Sequence, residues 1–153
     1  MPWHPSFATH LPDQDAQHQY FVQLLDQLDI ACQLDHSETI DQLLAELQRY
    51  AQYHFGCEEL LMATYNYPAE TQKREHRLLL SQLDEMLKDH TYSRAKIRLF
   101  VYKWLTNHIQ VEDKELAKFI LSQREPYLAQ SLPQLDDLAD TSPLLTNVAD
   151  SQQ

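Results

Sequence analysis

The stretch LLAELQRYAQYHFGCEELLM, residues 43–62, decides how this chain folds. Leu43, Leu44, Leu47, Ala51, Leu61 and Met62 recur at three- and four-residue steps, which is one face of an α-helix. His54 and Glu58 sit on that same face, four residues apart. A carboxylate buried without a partner costs several kcal/mol, and an unpaired imidazole costs less. The helix therefore carries either a polar pair that is satisfied inside the core or ligands for something charged.

Working outward, the chain repeats this pattern three more times. The only glycine is Gly56, so hairpin turns are poorly supplied. Prolines stand at 2, 5, 12, 68, 126, 133 and 143, leaving 13–67 and 69–125 uninterrupted. A first helix is expected from about Asp15 to Leu34, with Phe21, Leu24, Leu25, Leu28 and Cys32 on one face and Asp13 or Asp15 as cap. The second runs from about Ser37, capped by Asp35 or Ser37, to Ala63, ending before Tyr65-Asn66-Tyr67-Pro68. A third runs from about Ala69 to Asp89 with His76, Leu79, Leu80, Leu83 and Leu87 aligned. The fourth runs from about Ser93 to Arg124 with Ile97, Val101, Trp104, Leu105, His108, Leu116, Phe119 and Ile120. Short connections make neighbours antiparallel, so the expected fold is all-α, an up-down-up-down four-helix bundle. Residues 1–125 form this domain, beginning with an N-terminal arm. Residues 126–153 hold three of the seven prolines and four aspartates with no Lys or Arg, and read as an acidic C-terminal tail or linker.

Bulk composition narrows the function. There are 12 Lys+Arg against 23 Asp+Glu, a formal net charge of −11, which disfavours nucleic acid and anionic lipid as partners. No apolar run approaches the roughly 20 residues of a membrane helix. The start of the chain lacks the pattern of a signal peptide, so the expected localisation is cytoplasmic. Cys32 and Cys57 are too few for a disulfide framework and read as small core fillers.

Each expected helix places a histidine on or beside its apolar stripe: His18, His54, His76 and His108. One such histidine is commonly a hydrogen-bonded core residue. Four of them with Glu58, on four antiparallel helices, form the ligand set of iron, zinc or manganese, and a carboxylate can bridge two ions. Asp113 follows His108 by five residues, which turns it about 140° away in a regular helix. It faces solvent unless the helix widens into a π-type turn there.

At these residues the chain resembles the hemerythrin and bacteriohemerythrin family. The matching segments are Asp15-Ala16-Gln17-His18, His54-Phe55-Gly56-Cys57-Glu58-Glu59, Lys73-Arg74-Glu75-His76 and Trp104-Leu105-Thr106-Asn107-His108-Ile109-Gln110-Val111-Glu112-Asp113, in family order, one per helix. Trp3 fits the family's N-terminal arm, and the resemblance spans about residues 3–122. It implies two Fe ions, oxo- or hydroxo- and carboxylate-bridged, with Glu58 and Asp113 as bridges. His18 and His54 would bind the iron that takes up O2, and His76 and His108 the other. Phe55, Trp104, Leu105 and Ile109 would form the apolar O2 pocket. One position departs: the family's further histidine, four residues before His76, is Gln72 here. An amide is a poor substitute for imidazole, so Gln72 is expected to hold a metal-bound water or to ligate weakly. His4, His10, His36 and His90 lie in the arm or at helix ends and are not expected as ligands.

An open position on both irons favours oxidation, so the expected function is an O2-binding module used for oxygen or redox sensing. The alternatives are O2 carriage or storage, and a di-iron enzyme reducing peroxide or O2. The paired Glu-x-x-His motifs of ferritin-like oxidases are missing, which argues against the enzyme. A further alternative is a plain helical interaction module with buried polar networks. By family analogy, a sensing domain would hand its signal through the C-terminal tail to an output domain such as a cyclic-di-GMP cyclase or a chemotaxis transducer.

Overall fold

The structure, a computed structural model, describes residues 3–131. It is all-helical. After a short 3-10 turn at Pro5–Phe7 come α1 (Pro12–Gln33), α2 (Ser37–Thr64), α3 (Glu70–Lys88) and α4 (Arg94–His108). A π-helical turn, Ile109–Asp113, joins α4 to α5 (Lys114–Ser131). The backbone stays right-handed helical through His108, Ile109 and Lys114, so α4, the π turn and α5 make one rod. The rods pack as α1 on α2, α2 on α3, α3 on α4 and α4 on α1, closing an up-down-up-down bundle.

The helix ends differ in detail from the sequence expectation. The first helix starts at Pro12, whose missing N–H costs nothing in the first turn, and no side chain caps it. Asp15 instead reaches back to the arm: its carboxylate accepts from the backbone N–H and hydroxyl of Thr9, at 2.7 and 2.8 Å, and from the His10 N–H at 3.1 Å. His36, with no side-chain bond, precedes α2 in place of Asp35 or Ser37. Ser93 does cap α4, its hydroxyl accepting from Lys96 N–H at 3.2 Å. The last rod continues past Arg124 to Ser131, and the remainder of the expected acidic tail lies outside the described residues.

Two loops turn on left-handed residues, Asp35 and Asn66, both at φ 53°. With no glycine available, these short polar side chains tolerate the conformation best. The Tyr67 N–H closes the second turn on the Met62 carbonyl at 2.9 Å. Cross-helix polar links fix the packing: Tyr20 donates to Glu46 at 2.9 Å, Gln48 to Asp84 at 3.2 Å, and Arg98 pairs with Asp29.

The core comes in two parts. The larger holds Phe7, Phe21, Leu24, Leu25, Leu28, Leu47, Phe55, Val101 and Leu105, with Trp3 of the arm packed against it. The smaller holds Leu11, Met62, Leu116, Ala117 and Ile120. On three of the rods a polar stretch separates them: Gln14 and His18, His54 and Glu58, His108 and Asp113. On α3 the buried polar pair Gln72 and His76 precedes Leu83.

Candidate metal centre

Four helical rods deliver the polar layer. His18 comes from α1, His54 and Glu58 from α2, His76 from α3, His108 from α4, and Asp113 from the end of the π turn. All six are at most 1% exposed. The π turn settles the alternative left open for Asp113. One wider turn brings the carboxylate back to the His108 face, and its Oδ1 lies 2.9 Å from His108 Nε2.

The donor atoms fall into two groups that share a carboxylate. Atoms of His18, His54, Glu58 and Asp113 lie within 4.8 Å of one another, and so do atoms of Glu58, His76 and His108. Glu58 Oε1 faces His54 Nε2 at 3.3 Å, while Oε2 faces His76 and His108 Nε2, each at 3.2 Å. Asp113 divides the same way: Oδ2 lies 2.7 Å from His18 Nε2 and 3.5 Å from His54 Nε2, and Oδ1 faces His108. Each carboxylate thus offers one oxygen to each histidine pair.

These close approaches are mostly not hydrogen bonds. The Nε2 atoms of His18, His54 and His76 and both Asp113 oxygens make none, despite the short separations. Distance is met and alignment is not, as when lone pairs converge on a common point instead of on each other. Buried groups left so are expensive. Cations between the imidazole nitrogens and carboxylate oxygens would satisfy them all, so this donor set fits divalent metal.

Three of the four outer ring nitrogens face an oxygen, while His18 Nδ1 makes no hydrogen bond. His54 Nδ1 donates to Gln17 Oε1 at 2.7 Å and His76 Nδ1 to Glu59 Oε1 at 3.2 Å, while His108 Nδ1 pairs with Glu112. A proton kept on Nδ1 leaves the Nε2 lone pair facing inward, the arrangement metal-binding histidines use. Without metal, burial opposes charging His108, but the Asp113, Glu112 and Glu58 carboxylates around it hold its pKa well above the ordinary value, and a bound cation would displace that proton from Nε2. Burial likewise works against ionised Asp113, and His108 with the other rings holds it well below the carboxylate range.

Aromatic rings cover the layer. Phe55 stacks on His76, centroids 4.0 Å apart, and Trp104 stacks on His108 at 5.2 Å. Phe21 meets His54 edge-on, at 5.4 Å. Leu105 and Ile109 are fully buried. Phe21, Phe55 and Trp104 border an apolar void of about 10 Å³. Gln72 is buried on α3 one turn before His76, and its Nε2 makes no hydrogen bond. His4, His10, His36 and His90 are exposed and stand apart from the cluster. Cys32 and Cys57, expected as fillers, are half-buried.

The family description "Hemerythrin HHE cation binding domain" matches residues 9–120. The chain belongs to the hemerythrin family. It is similar to the bacteriohemerythrin of Stenotrophomonas maltophilia (strain R551-3), 26% identical over 107 residues, which is 67% of this chain and 70% of that one. A bacteriohemerythrin of Pseudomonas aeruginosa (strain LESB58) is 26% identical over 115 residues, covering 72% of this chain and 75% of the relative. That of Clostridium acetobutylicum is 30% identical over 88 residues, 54% and 68% of the two chains. The hemerythrin match takes in all four rods and the whole polar layer.

Sequence reasoning did not single out Gln14, Gln17, Glu112 or Phe21 as parts of this layer. Glu112 follows His108 by four residues, so helical spacing was a usable signal for it. Gln14, Gln17 and Phe21 act on a residue of another helix, which no local spacing reports.

Proposed function

We propose that this chain is a non-haem di-iron O2-binding protein whose readily oxidised centre serves oxygen or redox sensing. The observation that carries the di-metal reading is the division of Glu58 and Asp113, each with one oxygen toward each histidine pair. In this reading His18 and His54 would hold one iron and His76 and His108 the other, with Glu58 and Asp113 shared between the two. Such a pair of irons supplies reversible electron exchange with O2.

The protein's own part is to orient and to exclude water. Gln17, Glu59 and Glu112 fix the rings of His54, His76 and His108. The void beside Phe21, Phe55 and Trp104 is small, and its apolar wall gives water no partners, which suits a diatomic gas. Sensing is favoured over carriage by Gln72, because an amide in place of imidazole leaves the His76/His108 iron short of a strong neutral donor. The chain works as a binding protein and not an enzyme. A signal would leave through residues 126–153 to an output domain. Among the described residues no helix is long and apolar enough to cross a membrane.

The test is the iron-to-protein ratio with an optical spectrum. Two irons per chain and a near-ultraviolet charge-transfer band are expected. One per chain would mean the Gln72 side is empty, and none would defeat the reading. Reduced protein exposed to air should then oxidise; O2 held for hours and released under vacuum would make the protein a carrier.

A further inference from the structure

A cleft of about 660 Å³ opens between α1 and α2, and its lining includes Asp13, Gln14, Gln17, Tyr53, Cys57 and Glu58. Glu58 belongs to the buried polar layer, so this cleft abuts the layer itself. The larger groove of about 860 Å³ at the other end of the bundle, lined by Cys32, Ile40 and Arg94 among others, includes no member of the layer.

Gln14 stands between the cleft and the carboxylate. It is only 3% exposed, and its Nε2 donates to Glu58 Oε1 at 2.9 Å. That oxygen is the one facing His54. The other end of the same amide, Oε1, is buried and makes no hydrogen bond. A buried amide oxygen without a donor is costly, and a ligand or water arriving through the cleft supplies one.

We infer that the α1–α2 cleft, whose walls mix Leu11, Leu60 and Leu61 with Asp13, Gln14 and Gln17, is an entrance to the centre through which water and small hydrophilic ligands reach the Glu58 side, and that Gln14 is its gate. This rests on the reading of Glu58 as a bridging ligand. The cleft is separate from the apolar void, whose lining touches the layer through aromatic rings, Phe55 and Trp104 stacked on His76 and His108 and Phe21 edge-on to His54. Hydrated species entering by the cleft pass the Asp13 carboxylate, the Gln17 amide and the Tyr53 hydroxyl and must displace the Gln14 amide from Glu58. A gate of this kind changes rates of entry more than equilibrium affinity.

The probe is azide, mixed with the air-oxidised holoprotein and followed by its absorbance change in stopped flow. Gln14→Ala removes the gate and should speed azide entry roughly tenfold, with iron leaving faster to an external chelator. Ala16→Trp plugs the cleft from its exposed wall without touching the layer. It should slow azide entry several-fold while iron content and azide affinity stay as in the parent. Both variants binding azide within about twofold of the parent rate would overturn the entrance. A parent that binds no iron would overturn the di-iron reading itself, a separate outcome seen before any variant is made.

Discussion

Gln72 is the residue on which the proposed sensing role turns. It is buried one turn before His76, where a further imidazole would stand. Gln72→His should give the His76/His108 side a third imidazole and slow air oxidation of the reduced protein several-fold, read from the rise of its charge-transfer absorbance. An unchanged oxidation rate would remove Gln72 as the reason for a sensing role. At this scale the sequence was informative where residue chemistry clashed with its surroundings. An imidazole or carboxylate in a leucine stripe is conspicuous, so His18, His54, Glu58, His76 and His108 stood out. Gln14 did not, because glutamine is ordinary on a helix surface. Its partner, Glu58, lies 44 residues away on another helix. Such pairings exist only once the bundle has formed.

At the scale of the element, helix existence was legible and helix endings were not. Proline spacing and apolar stripes located all four rods. The caps expected at Asp13, Asp15, Asp35 and Ser37 were misplaced, because several polar residues crowd each start and tertiary contacts choose among them. Asp15 was recruited to hold Thr9 and His10. Gly56 offers a clean test of propensity inside α2. It is exposed in mid-helix, and a Cβ there would meet nothing within 4 Å. Gly56→Ala should therefore raise stability by about 0.5–1 kcal/mol, measured as a higher denaturant midpoint at unchanged slope. A loss of stability would show that the α2 backbone near His54 needs glycine for a reason other than space.

For the whole molecule, the polar layer divides one bundle into two hydrophobic plugs, the Phe21–Leu47–Val101 core and the Met62–Leu116–Ile120 core. Metal bound at a hundred times its dissociation constant adds about 2.7 kcal/mol to the folded state. For a domain of this size, stripping it should lower Tm by roughly 10 °C. Equal melting of loaded and chelator-treated protein would mean that the layer satisfies itself, as a plain interaction module would. The composition foretold the bundle but not this division, since a hydropathy profile averages over the few polar positions. The π turn carries one more consequence, best put as a reading frame. Through α4 the inward face is read at Ile97, Val101, Leu105 and His108. Continued unbroken, that frame would next bring Glu112 and Glu115 inward. The extra residue shifts the frame by one, and from there the inward letters are Asp113, Leu116, Ala117 and Ile120. The last rod is thus two messages spliced at Ile109–Asp113: the π turn absorbs one extra letter, and winding it into a regular helix without deleting that letter would garble the second message, turning Glu112 and Glu115 inward.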